Sequence, residues 1–121
     1  MPTILLVDDS YDTLGFMSYY LKSLHYDILE AASAKEMFDQ LTPTSPDLVI
    51  LDVRLGGHNG AELCKKIKES RKDLPVILSS ASRQLLVNYD QYNADGIIEK
   101  PFELSALAAI VKKALDPETE R

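Results

Sequence analysis

Short apolar segments alternate with longer amphipathic segments along the whole chain, and this alternation restricts the possible folds more than any other feature. Runs rich in Val, Ile and Leu predict buried strands at residues 3–7, 26–31, 47–51, 75–79 and 96–99. Four of these runs are almost continuously apolar, as strands of a parallel sheet covered on both faces are. Residues 27–30 are mixed and predict an edge strand. The pattern therefore predicts an α/β fold of five βα units, a (βα)5 arrangement around a five-stranded parallel sheet.

Apolar residues at helical spacing predict the elements between the strands. Leu14, Met17, Leu21 and Leu24 recur at helical spacing and predict a first helix whose inner face they form. A second helix is predicted to end at Thr42-Pro43, because proline disfavours helical backbone in the preceding residue. A fourth helix is predicted over residues 83–92, where the apolar side chains are bunched rather than spaced at helical intervals. The second, third and fifth helices are predicted at residues 34–41, 60–70 and 104–115.

Size and charge set limits on the function. The 121 residues suit a single domain spanning 1–121, with a core at about 3–115 and a polar tail at 116–121. The net charge of −6 argues against direct nucleic-acid binding by this domain, because phosphate backbones select clustered positive charge. The single cysteine, Cys64, excludes an internal disulfide and a multi-cysteine metal site. No apolar run could span a membrane and no signal peptide is recognisable, so we expect a cytoplasmic localisation.

Polar residues follow four of the predicted strands at the point where each strand ends. Asp8 and Asp9 follow the first strand, Asp52 the third, Ser80 the fourth and Lys100 the fifth. The carboxyl ends of parallel strands lie at one edge of the sheet, where ligands of such folds bind. These five side chains are therefore predicted to converge.

The converging groups suit phosphoryl transfer. Three neighbouring carboxylates repel one another, and Mg²⁺ together with the ammonium of Lys100 would neutralise them. The Asp52 carboxylate could attack phosphorus and form an acyl phosphate, with Lys100 and the Ser80 hydroxyl contacting its oxygens. Taken singly, Asp8 and Asp9 could cap a helix, Ser80 could be a loop hydroxyl and Lys100 a solvated charge. Their combination favours the catalytic interpretation.

The chain resembles the receiver domains of two-component response regulators from Ile4 to about Leu115. The matching segments are weak singly but specific in this order and spacing: 6–10 (LVDDS), 46–52 (PDLVILD), 59–60 (NG), 75–77 (PVI), 80–81 (SA), 94–95 (AD) and 100–102 (KPF). The resemblance implies a doubly wound, flavodoxin-like sheet with strand order 2-1-3-4-5.

The resemblance also implies roles for individual residues. Asp52 is implied as the phosphoacceptor, and Mg²⁺ as the cofactor, bound by Asp9, Asp52 and the backbone carbonyl of Arg54, with Asp8 acting through water. A histidine kinase or histidine phosphotransfer protein is implied as the donor. The expected chemistry is Mg²⁺-dependent self-phosphorylation from a phosphodonor and slow autodephosphorylation, rather than conventional enzymatic turnover. Phosphorylation would alter the face formed by the fourth helix, fifth strand and fifth helix, which a downstream protein or output domain would contact.

Several positions differ from the family's usual pattern. Ile97 stands three residues before the lysine, where the family commonly has the Tyr or Phe that moves with the switch. Gly56 and Gly57 stand where the family often has a proline, four residues after the phosphoacceptor, and predict a looser loop. Arg54 and Ser82 occupy positions that the family varies to tune the lifetime of the phosphoryl group.

Three other functions compete with a phosphorylated receiver. A haloacid-dehalogenase-type enzyme also uses an Asp nucleophile and Mg²⁺, but its Asp-x-Asp motif comes early in the chain, and here Asp52-Val53-Arg54 follows the acidic pair. The stretch from Ser80 to Lys100 is slightly short for the family and suggests a reduced or irregular fourth helix. A receiver-like protein-binding module with weak or no phosphorylation switching is favoured by Ile97 and this short fourth helix. A nucleotide-binding α/β protein would need a Gly-rich loop after a strand, and no strand leads into one.

Overall fold

Five parallel strands form the centre of the computed structural model, which describes residues 1–87 and 89–116. Numbering only the strands of this sheet, they are β1 (Thr3–Val7), β2 (Asp27–Ala31), β3 (Leu48–Asp52), β4 (Val76–Ser80) and β5 (Gly96–Glu99). The order β2-β1-β3-β4-β5 confirms the predicted doubly wound, flavodoxin-like sheet. Strand order reverses between β1 and β3, so the crevice for a ligand lies where these two strands end.

The sheet separates two apolar layers because successive side chains of a strand point to opposite faces. Ile4 and Ile50 pack on the face covered by α1 (Tyr11–Ser23) and α4 (Leu104–Leu115). Leu5 and Val49 pack on the other face, which α2 (Ala34–Thr44) and α3 (Gly60–Ser70) cover. Every residue of β3 and β4 is buried, whereas β2 is largely half-buried or exposed at the edge, as its mixed sequence predicts.

Three of the helices begin at a polar residue that caps the first turn. The Ser10 hydroxyl, the Ser33 hydroxyl and the Asn59 side-chain carbonyl each accept a backbone N–H of the helix that follows. The predicted end of α2 at Thr42-Pro43 is wrong. Pro43 lies within the last turn, which still closes because Ser45 N–H donates to the Leu41 carbonyl at 3.2 Å.

The segment predicted as a fourth helix contains two 3₁₀ turns, Arg83–Leu86 and Tyr89–Tyr92. The expectation of an irregular segment is thus confirmed for the residues described there; Asn88, between the turns, lies outside them. Of the bunched apolar residues, Leu86 is buried, whereas Leu85 and Val87 are exposed. Residues 117–121 of the predicted polar tail are also outside the described part of the chain.

A tight hairpin follows β3, and the prediction of a looser loop there is wrong. Arg54–Leu55 pairs antiparallel with His58–Asn59 around Gly56 and Gly57. Gly56 has a φ of +60°, and a two-residue turn with positive φ at its first central position matches the twist of the paired strands. We refer to residues 54–59 as the hairpin. No helix in the described residues is both long and apolar enough to cross a bilayer.

Candidate functional site

Three carboxylates meet where β1 and β3 end. Asp8 and Asp9 follow β1, Asp52 is the last residue of β3, and one oxygen of each lies within 4.8 Å of the others. Asp8 and Asp52 are buried, with 1% and 8% of their surfaces exposed, whereas Asp9 is exposed. The structure thus brings together the acidic residues that the sequence placed at the strand ends.

Lys100 supplies the positive charge of this site. Its Nζ lies 2.6 Å from Asp8 Oδ2 and 3.5 Å from Asp52 Oδ2. Burial lowers the pKa of Lys100, but the hydrogen bond to Asp8 and the negative charges of Asp52 and Asp8 outweigh burial and raise this pKa above its ordinary value. Lys100 therefore remains an ammonium ion. Its peptide bond to Pro101 is cis.

Burial and the nearby charge of Asp8 raise the pKa of Asp52 to about 6, although Lys100 and the Arg54 N–H oppose this shift. Burial is the larger cause of this rise in pKa, and the second is repulsion by the Asp8 carboxylate, which the ammonium of Lys100 does not fully offset. A site with excess negative charge and only oxygen donors suits a hard divalent cation such as Mg²⁺.

Each carboxylate also accepts one backbone N–H. Asp8 Oδ1 accepts from Ser10 at 2.9 Å, and Asp52 Oδ1 accepts from Arg54 at 3.3 Å. Asp9 Oδ2 accepts from Gly56, in the turn of the hairpin, at 3.1 Å. These bonds orient the acidic groups before any ligand binds.

A cavity of about 330 Å³ opens above Asp52. Its walls are formed by Asp52, Arg54, Ser80, Ala81, Ser82 and Lys100. Ser80 is almost fully buried, and its hydroxyl accepts the backbone N–H of Ser82 at 3.0 Å, which leaves the hydroxyl proton free to be donated elsewhere. The cavity thus places a carboxylate, an ammonium and a hydroxyl donor around one small polar space.

The backbone of Arg54 faces the same site. Gly60 N–H donates to the Val53 carbonyl at 2.6 Å, and Arg54 pairs with Asn59 next to this bond. Hydrogen-bonded and non-hydrogen-bonded pairs alternate in antiparallel strands, so the N–H and C=O of Arg54 both point away from Asn59. The Arg54 N–H accordingly points to Asp52, where it donates to Oδ1 at 3.3 Å.

Other residues singled out from the sequence lie apart from the cavity. Ile97 is 36% exposed on β5 and does not line it. Cys64 is buried in α3, where its thiol donates to the Tyr92 carbonyl, and burial raises its pKa to about 12. Sequence reasoning missed the contact between Gly56 and Asp9. The Gly-Gly pair between two short polar-apolar segments was the available signal, since such a pair is typical of a two-residue hairpin turn.

Comparison with known proteins agrees with this geometry. Residues 4–112 match the response regulator receiver domain family. The heme response regulator HssR of Staphylococcus saprophyticus is 34% identical over 117 residues, which cover 95% of this chain and 52% of HssR. The alkaline phosphatase synthesis transcriptional regulatory protein PhoP of Bacillus subtilis is 29% identical, over 93% of this chain and 48% of PhoP. The chain therefore spans about half the length of these relatives.

Solved structures show the same likeness in three dimensions. A CheY-like response regulator receiver domain protein from Methanospirillum hungatei has a TM-score of 0.90 at 27% identity, covering 99% of this chain and 98% of that one. NtrX from Brucella abortus has a TM-score of 0.91 at 28% identity, covering 98% of this chain and 28% of NtrX. With its sheet order, its acidic strand ends and these matches, the chain belongs to the response regulator receiver domains of two-component systems.

Proposed function

We propose that this receiver domain takes a phosphoryl group onto Asp52 from a histidine kinase or histidine phosphotransfer protein in the cytoplasm. The observation that carries the proposal is the position of the Asp52 carboxylate. It lies on the wall of a small polar cavity, beside Lys100 and Ser80 and within reach of Asp8 and Asp9. The net charge of −6 supports a protein partner rather than direct contact of this domain with nucleic acid.

In the proposed reaction an oxygen of Asp52 attacks phosphorus, the bond from phosphorus to the donor's imidazole nitrogen breaks, and an acyl phosphate forms. Lys100 and the Ser80 hydroxyl would each donate a hydrogen bond to a phosphoryl oxygen. A bound Mg²⁺ would neutralise the acidic residues and a further phosphoryl oxygen. Asp9, Asp52 and the Arg54 carbonyl would bind this ion, with Asp8 contributing through water; the oxygen donor set and the orientation of the Arg54 backbone support this assignment.

For the output, we propose that phosphorylation shifts the population of conformations of the surface that carries the two 3₁₀ turns, β5 and α4. Leu85, Val87 and Ile97 expose apolar side chains in these segments and could contact a downstream protein or an output domain. The same exposed side chains favour the second candidate function, a protein-binding module with weak or no phosphorylation switching. Ile97 lacks the aromatic ring that would couple the surface to the site.

Incubation with acetyl phosphate and Mg²⁺ should add the mass of one phosphoryl group to the wild-type protein. Asp52→Asn should show no gain, because an amide is not a competent nucleophile, and a chelator should abolish the gain for the wild type. Asp12→Asn is the matched control, since Asp12 is an exposed acidic residue of α1 outside the site. Intact-mass spectrometry measures all four samples. No gain in any sample would favour the protein-binding module.

Arg54→Ala should shorten the half-life of the phosphorylated protein. The exposed Arg54 side chain lines the cavity over Asp52, where a long cationic group can cover the phosphoryl group and hinder attack by water. Loss of about 1 kcal/mol of this protection corresponds to a roughly fivefold faster hydrolysis. Dephosphorylation is followed after removal of the donor, with Arg83→Ala as a control for an exposed arginine that does not line the cavity. Equal half-lives for wild type and Arg54→Ala would show that Arg54 does not shield the group.

A further inference from the structure

The three carboxylates of the site differ in how they are held. Asp8 and Asp52 each accept a backbone N–H from two residues further along the chain, Ser10 and Arg54. Such bonds form locally, with the turn that ends each strand. Asp9 accepts its N–H from Gly56, which is 47 residues away. The backbone hydrogen bond that orients Asp9 is therefore a tertiary contact, whereas the backbone hydrogen bonds of Asp8 and Asp52 are local.

Asp9 also lacks the second support that the others have. Lys100 contacts Asp8 and Asp52 through its ammonium, but it makes no ion pair with Asp9. Within residues 1–87 and 89–116, the Gly56 N–H is the one hydrogen-bonding partner of the Asp9 carboxylate. Without this bond, repulsion by the nearby carboxylates of Asp8 and Asp52 would turn the exposed Asp9 side chain towards solvent.

The hairpin that carries Gly56 is fixed to the sheet at both ends. Leu55 is 1% exposed and packs in the core. At the end of the hairpin's second strand, Asn59 caps α3 by accepting the Ala61 N–H at 2.9 Å, and the Gly60 N–H donates to the Val53 carbonyl. The turn between these anchors is consequently held at a defined distance from the end of β3, and so is the N–H that it presents to Asp9.

The two glycines of the turn meet different requirements. Gly56 has a φ of +60°, a conformation that a side chain makes unfavourable, and no positive φ is found at Gly57. A Cβ built at either position would find no other atom within 4 Å. Alanine at Gly56 would thus strain the backbone without a steric collision. Alanine at Gly57 would cause neither strain nor a collision.

We infer that Gly56 is a positioning residue for the Mg²⁺ site: its N–H, presented by the hairpin, holds Asp9 in the orientation that binds the cation. The bond occupies one lone pair of Oδ2 and leaves the rest of the carboxylate available to a metal. Groups that orient a metal ligand typically change metal affinity by ten- to a hundredfold when they are lost. This inference rests on the proposed function, because it assumes that Asp9 binds Mg²⁺.

The test is the dissociation constant of Mg²⁺, measured by calorimetry with wild type, Gly56→Ala and Gly57→Ala. We expect Gly56→Ala to weaken Mg²⁺ binding about tenfold and Gly57→Ala to leave it unchanged. Gly56→Asn should fall between them, because asparagine tolerates positive φ better than alanine does. Equal dissociation constants for wild type and Gly56→Ala would overturn the inference while leaving the proposed function intact. Absence of Mg²⁺ binding by the wild type would instead contradict the proposed function itself.

Urea unfolding without Mg²⁺ and at a series of Mg²⁺ concentrations separates positioning from a general loss of structure. A residue that only maintained the hairpin would lower the midpoint of unfolding and leave the dissociation constant of the folded protein unchanged. A positioning residue changes the Mg²⁺-induced shift of that midpoint, because ligand stabilisation depends on affinity for the folded state. We expect Gly56→Ala to need about ten times more Mg²⁺ than wild type for the same shift. An identical Mg²⁺ dependence would again overturn the inference.

Discussion

Gly60→Ala should destabilise the domain by about 3 kcal/mol, an upper-range value for adding one methyl group to a packed site. A Cβ at this position would overlap the carbonyl oxygen of Asp52, and it would lie 2.8 Å from Val53 Cα and 2.9 Å from the Asp52 carbonyl carbon. All three atoms belong to the backbone, so no side chain can rotate to make room. The start of α3 would have to move away from the end of β3. Urea unfolding of the two proteins measures the difference.

Two other glycines provide controls for Gly60→Ala. Gly15 lies within α1, and a Cβ there would meet no atom within 4 Å, so Gly15→Ala should stabilise the domain by roughly 0.5–1 kcal/mol through helix propensity. Gly57→Ala should have little effect. If Gly60→Ala were as stable as the wild type, the close approach of α3 to Asp52 would be refuted. A destabilised Gly60→Ala with unchanged controls would support it.

The fold could be predicted from sequence because its determinants are local. Each buried strand is a short apolar run, and the mixed run at residues 27–30 correctly predicted the edge strand β2. All five strands were predicted to within one residue. The end of α2 was not predicted correctly. The rule that proline ends a helix does not account for a last turn that contains Pro43 and closes through the hydrogen bond from the Ser45 N–H. The short stretch between Ser80 and Lys100 gave the right expectation of an irregular fourth segment, which contains two 3₁₀ turns.

The site could be predicted only where it depends on strand ends. Topology brings Asp8 and Asp52 together once the sheet is parallel, and their residue types then indicate the chemistry. The hairpin depends instead on a positive φ at Gly56 and on a contact across 47 residues. Gly60 likewise owes its importance to a backbone atom of β3 that becomes close only in the folded chain. Neither feature can be derived from the spacing of residues.

Lys100→Met should destabilise the domain by about 3 kcal/mol at neutral pH, the lower end of the range for removing one partner of a buried ion pair, because Lys100 is only partly buried. Methionine retains much of the apolar stem and removes the charge. Asp8 is 1% exposed and loses the ammonium 2.6 Å away, so its carboxylate would remain in the interior with only the Ser10 N–H. Lys35→Met is the control, because the Lys35–Asp39 pair is of similar length but exposed to solvent, and its loss should have no measurable effect. Urea unfolding measures each variant.

The pH dependence identifies the cause of this destabilisation. In the folded wild type the pKa of Asp52 is about 6, above the value of about 3.9 for an unfolded chain. The contribution of this group to stability is therefore fully present below about pH 4 and is lost as the pH rises through 6. Lys100 lowers the pKa of Asp52, so replacing Lys100 raises that pKa further. In the variant, the stability contributed by protonated Asp52 is therefore lost only at a higher pH than in the wild type. The difference in the free energy of unfolding between wild type and Lys100→Met should shrink as the pH falls from 7 to 5, because the folded variant regains stability by taking up protons. A deficit that stayed constant over this range would mean that lost packing of the lysine stem, rather than uncompensated carboxylate charge, destabilises the variant.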